Sequence, residues 1–309
     1  MKRYKYIFID FPIQSYLYET NMKEIYIRKS LSTPMRFFRK LPIFSHFLSN
    51  TKERKNWAEE CIGYKNIILF DTYAGYAEYC KKIEQVAFPE TRLILYLLNP
   101  AFFSEDYKKI SSRWEIWTFS EEDAKKFGFK YGGTFYNPLL RERIKETLKE
   151  QKPNIDLLFI GTDKGRKGFL IELKQKLSTQ NIKCDFRIVD NFKSLYKKEY
   201  SREVSYTKLC SLVKNSNTLL DIVQAKQFGL TIRFMEALLF EKKIVTTNQS
   251  IIWNKDFKNN PNIYILSKDN INELNTFINK EFVSYPAKLT EKYSFQEWLT
   301  RLDKNEELK

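Results

Sequence analysis

The stretch that most constrains the fold is residues 218–248, TLLDIVQAKQFGLTIRFMEALLFEKKIVTTN. An apolar run at 218–223 leads into a glycine-bearing turn at 224–231, a helical pattern at 232–240 and a β-branched run at 243–247. Strand, turn, helix and strand in this order predict a βαβ unit, whose two strands lie parallel in one sheet. Because ligands of such units bind at the carboxyl ends of the strands, we expect a binding site where the first run ends.

Polar side chains cluster at this predicted strand end, beside an apolar frame. They are Asp221, Gln224, Gln227, Thr231, Arg233 and Glu236, and Gly229 lies among them. Arg233 and Glu236 are three positions apart on the predicted helix, so they share a face. Such a pair is either a surface salt bridge or a ligand site, in which the arginine faces phosphate and the carboxylate accepts the two hydroxyls of a ribose. The local pattern alone does not separate these interpretations.

A second candidate anion site is the turn GTDKGRKG at 161–168, between a predicted buried strand and a predicted helix. Its glycines allow a ligand to approach the backbone closely, and its three basic side chains place positive charge beside a helix N-terminus. The turn matches neither the GxGxxG dinucleotide fingerprint nor the Walker A loop. An ordinary βα turn also uses glycine and lysine, so this alternative stays open.

The same alternation of strand and helix runs through both halves of the chain. It predicts an α/β protein with two Rossmann-like domains, whose parallel sheets face a central cleft. A charged linker ending in proline, at 141–154, separates the halves. We expect an N-terminal domain at 1–145 and a C-terminal domain at 146–285. A C-terminal helix within 286–309 is expected to pack back on the N-terminal domain.

Composition excludes several classes of function. His46 is the only histidine, which nearly excludes a Ser-His-Asp hydrolase or a histidine-rich metal site. The four cysteines have no paired spacing, which argues against zinc sites and disulfides and fits a reducing cytoplasm. No apolar run is long enough to span a bilayer, and Asp10 and Pro12 interrupt the N-terminal run before a signal peptide would be complete. We therefore predict a cytoplasmic protein.

The net charge of +15 favours polyanionic partners, although a lysine-rich proteome explains part of it. The most basic stretch, residues 23–56, interleaves lysines and arginines with aromatic and aliphatic residues. This composition suits a segment that binds an anionic membrane surface, which would place the protein at the inner face of the cytoplasmic membrane. A solvated basic face over a buried apolar stripe is the alternative.

The segment GLTIRFMEALLFEKKIVTTN resembles the donor-binding segment of GT-B glycosyltransferases. That segment has a glycine turn, a helix containing Glu-Ala, and a strand ending in Thr and then Ser or Asn. The whole chain also resembles bacterial glycosyltransferase-like proteins of lipopolysaccharide and capsular polysaccharide biosynthesis. The stretches that carry this resemblance are IILFD, ILYLLNP, WTFSEEDAKKFG, LLFIGTDKGR, LLDIVQ and QFGLTIRFMEAL, in that order.

This resemblance implies that the C-terminal domain binds a nucleotide-sugar and the N-terminal domain binds a lipid-linked or glycan acceptor. The ribose-binding glutamate falls on Glu236, and the diphosphate contacts fall on Arg233 and the 161–166 turn. The implied donor-binding residues are Gly161, Thr162, Lys164, Arg166, Asp221, Gln227, Gly229, Thr231, Arg233 and Glu236. Phe228 stands where retaining relatives often carry a second glutamate, so we assign no stereochemistry.

A general base must take the proton of the attacking acceptor hydroxyl. Asp71 and Asp10, each near a predicted strand end, are candidates, with His46 third; each also has a structural explanation, since Asp caps helices and turns. With no DxD carboxylate pair in the sequence, we predict a metal-independent, hexosyltransferase-like enzyme that needs no cofactor besides the nucleotide-sugar co-substrate and binds no nucleic acid. The alternatives are a nucleic-acid-binding protein, favoured by charge and aromatics, or a non-catalytic GT-B relative that binds a glycan or a partner enzyme.

Overall fold

A computed structural model of the chain describes residues 5–11, 22–27, 53–72, 75–103, 105–138, 153–190, 192–224 and 228–308. The chain divides into two compact units. Unit 1 is 1–132 with 307–309, and unit 2 is 133–306. The domain boundary expected between 145 and 146 lies outside the described residues and stays a prediction.

Unit 1 contains a six-stranded parallel sheet with the strand order β2-β1-β3-β4-β5-β6. The strands are β1 Tyr6–Ile9, β2 Met22–Ile25, β3 Asn66–Phe70, β4 Arg92–Leu97, β5 Trp114–Thr118 and β6 Lys130–Tyr131. The α-helices in the described part of this unit are α1 Tyr76–Val86 and α2 Glu121–Phe127. Strands β1, β3 and β4 are almost entirely buried, which explains their continuous apolar sequences YIFI, NIILF and RLILYL.

Unit 2 contains a second six-stranded parallel sheet, ordered β12-β11-β10-β7-β8-β9. Its strands are β7 Ile155–Thr162, β8 Cys184–Val189, β9 Tyr200–Ser201, β10 Ser216–Asp221, β11 Lys243–Thr246 and β12 Ile263–Ile265. Among its described residues, the α-helices are α3 Lys167–Ser178, α4 Tyr206–Lys214, α5 Ile232–Phe240, α6 Leu274–Asn279, α7 Ala287–Lys292 and α8 Phe295–Lys304. Counted within the unit, this is the Rossmann order 3-2-1-4-5-6.

Each sheet has a switch point, where the chain changes the side on which it adds strands. In unit 2 the switch point lies between β7 and β10, and in unit 1 it lies between β1 and β3. Ligands of open α/β sheets bind outside the carboxyl ends of the strands at such a point. The predicted site residues at 161–166 span the end of β7 and the turn after it, Asp221 ends β10, and Asp10 and Asp71 follow β1 and β3.

The C-terminal helices α7 and α8 belong to unit 2. Trp298 of α8 is fully buried, and its ring lies 4.1 Å from that of Phe135 between centroids. The N-cap residue Ser294 also pairs with Tyr136 in an isolated parallel bridge. The segment 286–309 thus contacts residues 135–136, while its last three residues fall in unit 1. Throughout the described ranges, no helix combines the length and apolar character needed to cross a bilayer.

Candidate functional site

Helix α5 forms one wall of the candidate site, and its N-terminus is defined by its sequence. Thr231 is the N-cap, and its side chain accepts a hydrogen bond from the Phe234 N–H. Gly229 has a φ of +87°, a left-handed conformation that glycine adopts without strain. The remaining N–H groups of the first turn have no intrahelical acceptor, so this end of α5 favours an anion.

Arg233 and Glu236 form a buried ion pair inside this wall. Nη1 of Arg233 donates to Oε2 of Glu236, and Nη2 donates to the Ile160 carbonyl of β7 at 2.9 Å. Glu236 is only 3% exposed. Burial raises the pKa of Glu236, and the charge of Arg233 acts in the opposite direction. Arg233 and Glu236 therefore do not form the surface salt bridge that the sequence allowed as one alternative. They form a buried pair that links α5 to the sheet.

The second oxygen of Glu236 differs from the first in its contacts. Oε2 is held by Arg233, whereas no hydrogen bond reaches Oε1 from any described residue. A carboxylate held through one oxygen keeps acceptor capacity on the other. Glu236 is thus fixed in orientation and still able to accept a ligand hydroxyl.

Asp221 ends β10 beside this pair and is also buried. Its Oδ2 accepts a hydrogen bond from Oγ1 of Thr246 at 3.0 Å. Burial raises the pKa of Asp221, while hydrogen bonds from Thr246 and Thr231 and the charges of two arginines act against that rise. Asp221 therefore ties the ends of β10 and β11 to the start of α5.

Arg166 connects the two strands at the switch point of unit 2. Its Nη2 donates to the Thr162 carbonyl at 2.6 Å, and its Nη1 donates to the Ile222 carbonyl just after β10. A Cβ atom at Gly161 would lie only 3.2 Å from Nη2 of Arg166. The absence of a side chain at residue 161 therefore leaves room for the guanidinium. Lys164, by contrast, is exposed at the tip of the turn.

Two residues that the sequence reasoning did not single out hold the loops in place. Asp163 accepts from the Lys167 N–H at 3.0 Å and from the Tyr200 hydroxyl at 2.7 Å, and the Tyr200 bond lowers the pKa of Asp163. Asn248 donates from Nδ2 to the Gly229 carbonyl at 2.8 Å. The Thr-Thr-Asn sequence that ends the β11 segment could have indicated a role for Asn248. No local pattern indicates that Tyr200 is the partner of Asp163, because the two residues are distant in sequence.

Asp71 lies at the carboxyl end of β3 in unit 1 and is buried. Its Oδ1 accepts from the Leu98 N–H at 2.6 Å, and its Oδ2 accepts from the N–H and side-chain amide of Asn99. Burial raises the pKa of Asp71 to about 6, although these hydrogen bonds act to lower it. Asp71 is thus a buried carboxylate that joins neighbouring strand ends and whose pKa lies above the usual range of an aspartate.

Asp10 follows β1 on the other side of the same switch point. Its backbone is left-handed, with φ of 54°, and its Oδ1 accepts from the Ile27 N–H at 3.0 Å. These contacts give Asp10 a role in the turn after β1.

The remaining predicted residues are partly outside the described ranges. Gln227, His46 and residues 28–52 of the basic stretch lie outside them. Phe228 is described, and it is exposed. Thr162 is exposed at the end of β7. Nine of the ten residues predicted to bind the donor therefore lie at or beside the carboxyl edge of the unit 2 sheet, and Asp10 and Asp71 both lie in unit 1; the roles of all these residues stay predictions. Within the described ranges, no three His, Cys, Asp or Glu side chains assemble into a metal site.

No family model matches the sequence, and no curated protein matches it either. Among solved structures, the chain is similar to a UDP-forming α,α-trehalose-phosphate synthase from Burkholderia xenovorans. The TM-score is 0.51 at 8% identity, over 78% of this chain and 73% of that chain.

Two further solved structures match at TM-scores below 0.5. An α-glucosyltransferase in complex with UDP-glucose and DNA containing an abasic site matches at 0.48 and 11% identity, over 91% of this chain and 85% of that one. A DNA-modifying β-glucosyltransferase matches at 0.46 and 13% identity, over 97% and 98%. Together with the two parallel sheets, the similarity to the synthase confirms the fold class predicted from the sequence: two Rossmann-like domains of the GT-B type.

Proposed function

We propose that this protein is a glycosyltransferase that binds a nucleotide-sugar at the carboxyl edge of the unit 2 sheet. The observation that carries the proposal is the buried Arg233–Glu236 pair beside the anion-favouring N-terminus of α5. A nucleoside diphosphate has two features that this edge complements, a vicinal ribose diol and a diphosphate. The similar trehalose-phosphate synthase is described as UDP-forming, which makes UDP-sugars the first donors to test.

The ribose contact is assigned to Glu236. Oε2 is held by Arg233, so the carboxylate keeps one orientation without a ligand. Its Oε1 then accepts a ribose hydroxyl, and a hydrogen bond from a ligand offsets part of the cost of keeping a buried carboxylate ionised.

The diphosphate contacts are assigned to the first turn of α5 and to the 161–166 turn. Free N–H groups at a helix N-terminus bind phosphate oxygens, and cations nearby add to their attraction. Lys164 is exposed and able to reach a ligand, whereas Arg166 is held by strand-end carbonyls. In transfer, these groups stabilise the negative charge that develops on the departing diphosphate.

In the proposed reaction, an acceptor hydroxyl attacks the anomeric carbon of the donor sugar, and the bond from that carbon to the diphosphate oxygen breaks. The hydroxyl proton passes to a carboxylate, for which we propose Asp71. A pKa near 6 leaves Asp71 ionised at neutral pH yet basic enough to accept a proton. Asp10 is the alternative base. We propose that the reaction is metal-independent and that the transferred group is a hexose.

The acceptor we propose is a lipid-linked glycan or a cell-surface polysaccharide or lipopolysaccharide precursor, used at the inner face of the cytoplasmic membrane. This choice rests on the sequence resemblance and on the basic composition of residues 23–56. Transfer to a nucleic acid is not part of the proposal.

The test is a thermal-shift screen with UDP, GDP and CMP and their sugars, followed by an assay for released nucleotide. We expect one nucleotide family to raise the melting temperature of the wild type and of the control Glu172→Gln, which alters an exposed carboxylate of α3. Glu236→Gln should lose most of this shift. A folded wild type that no nucleotide stabilises would refute the proposal, and binding without nucleotide release for any acceptor would favour a non-catalytic relative.

A further inference from the structure

The 3-10 helix Gln249–Trp253, which follows β11, presents an apolar surface at the carboxyl edge of the unit 2 sheet. Trp253 is 82% exposed and Ile252 is 47% exposed, while Ile251 beside them is buried. Asn248, the N-cap of this helix, donates to the Gly229 carbonyl and so brings the 228–232 segment alongside. That segment adds Phe228 and Ile232, each 43% exposed. We call these four exposed side chains, Phe228, Ile232, Ile252 and Trp253, the apolar rim.

The segment that carries Trp253 is firmly attached to the unit. Phe257 is buried, with its ring 5.6 Å from that of Phe234 and 5.3 Å from that of Tyr293. Asp256 accepts from Nζ of Lys292 at 2.6 Å and from the Tyr293 hydroxyl at 2.7 Å. The exposure of Trp253 is therefore a property of an anchored element.

The exposed charged side chains that follow Trp253 along the 3-10 helix segment are positive. Lys255 and Lys258 are both exposed, and neither has an acidic partner among the described residues. The one acidic side chain between them, Asp256, is neutralised by Lys292. An exposed tryptophan with aliphatic neighbours and unpaired lysines combines the two interactions that hold a protein at an anionic bilayer, apolar insertion and attraction to headgroups.

We propose that the apolar rim and its two lysines dock unit 2 on the surface of an anionic lipid bilayer. Tryptophan suits this role because its ring is largely apolar and its N–H stays hydrogen-bonded at the headgroup level. The docking itself does not depend on the proposed function. Combined with that function, it places the donor-binding edge at the lipid surface, where a lipid-linked acceptor is presented.

The intrinsic tryptophan fluorescence of the protein tests this proposal. Of its five tryptophans, Trp57, Trp114, Trp117 and Trp298 are buried, and Trp253 alone is exposed. A change in tryptophan emission or in acrylamide quenching when vesicles are added therefore reports on Trp253. We expect a blue shift and protection from acrylamide with phosphatidylglycerol-containing vesicles, and a much weaker response with pure phosphatidylcholine.

Vesicle co-sedimentation with variants tests the individual contributions. Trp253→Ala removes the aromatic side chain that would insert into the bilayer interface. This variant should bind vesicles about tenfold more weakly than the wild type. Each of Lys255→Gln and Lys258→Gln should weaken it about fivefold, in proportion to one surface charge. The matched control is Val283→Ala, an exposed apolar residue 52% accessible, whose carbonyl accepts from Asn262 at the amino edge of the same sheet; it should bind as the wild type does.

Three results would overturn the proposal. The first is wild-type emission that anionic vesicles leave unchanged, or binding that Trp253→Ala leaves unchanged. The second is a Trp253-dependent dimer seen by light scattering without lipid, which assigns the rim to a second copy of the chain. The third is a Trp253 emission shift on adding a soluble glycan without vesicles, which assigns it to sugar stacking. Nucleotide should still raise the melting temperature of Trp253→Ala. If it does, a failure of the membrane-docking proposal is not a failure of the proposed function.

Discussion

Replacing Arg233 and Glu236 by methionine, singly and together, separates the structural role of this pair from its role in ligand binding. Each single variant leaves one charge buried without its partner, which costs about 3–5 kcal/mol of unfolding free energy. The double variant removes both charges of the pair, so neither is left buried without its partner; it loses the hydrogen bond to the Ile160 carbonyl and the attraction of Arg233 for the nearby Asp221, which together cost about 1–3 kcal/mol. The double variant should therefore be more stable than either single variant.

The two single variants should also differ in their response to pH. In Arg233→Met, the isolated Glu236 takes up a proton more readily folded than unfolded, because burial already raises its pKa. Stability is then highest at acid pH and falls as the pH rises past the unfolded pKa of about 4.3. In Glu236→Met, Arg233 stays charged throughout this pH range. The unfolding free energy that this variant loses relative to the wild type should therefore not become smaller at acid pH.

Urea unfolding followed by circular dichroism measures these free energies, and a thermal-shift assay with the active nucleotide measures binding. The control is the exposed pair Glu78 and Lys81, which has the same i,i+3 spacing at 2.9 Å and should contribute less than about 1 kcal/mol. If the double variant is as unstable as the sum of the singles, the pair is not coupled. If it is folded and binds nucleotide as the wild type does, Glu236 is not the ribose contact.

Three further predictions concern other buried groups. Lys243→Met should lower the free energy of unfolding by about 3 kcal/mol or more, because the ammonium donates to three carbonyls at the end of α6; a loss below 1 kcal/mol in urea unfolding would contradict this. Gly132→Ala should cost about 1–3 kcal/mol, because the new Cβ would lie 2.3 Å from the hydroxyl oxygen of the buried Tyr96, and Tyr96→Phe should restore part of the loss. Asp71 binds its proton more tightly in the folded state, with a pKa of about 6 against 3.8, so its contribution to stability should fall by about 3 kcal/mol between about pH 3 and pH 7, mostly between pH 4 and 6; Asp71→Asn, compared with the wild type by urea unfolding across this range, should lack the slope.

The sequence predicted β10, α5 and β11 because their patterns are strong. Helix α5 was predicted at 232–240, the bounds it has in the structure, since Thr231 caps it and an apolar run fills it. Three edge strands, β2, β6 and β9, carry no such pattern. β6 and β9 have two residues each, too few for a pattern, and β2 has the mixed sequence MKEI because it is only partly buried.

The sequence located the site, but not what holds it together. Arg233 and Arg166 were predicted from local spacing and from the glycine turn. Their carbonyl acceptors at Ile160 and Ile222 lie 73 and 56 positions away, respectively, and every residue type has a carbonyl. No side-chain pattern identifies such a partner, so a predicted ligand-binding arginine and one that also secures strand ends look the same in a sequence.

The three carboxylates Asp71, Asp221 and Glu236 all have pKa values raised by burial, and all lie near a switch point of one of the two sheets. Keeping an ionised carboxylate out of water costs free energy that apolar residues in the same place would not. Perturbed pKa values are characteristic of positions where a group must meet a ligand or a proton. If the Arg233→Met, Glu236→Met double variant proves nearly as stable as the wild type but no longer binds nucleotide, stability alone cannot account for that pair, and ligand binding is the reason for keeping its charges at the switch point.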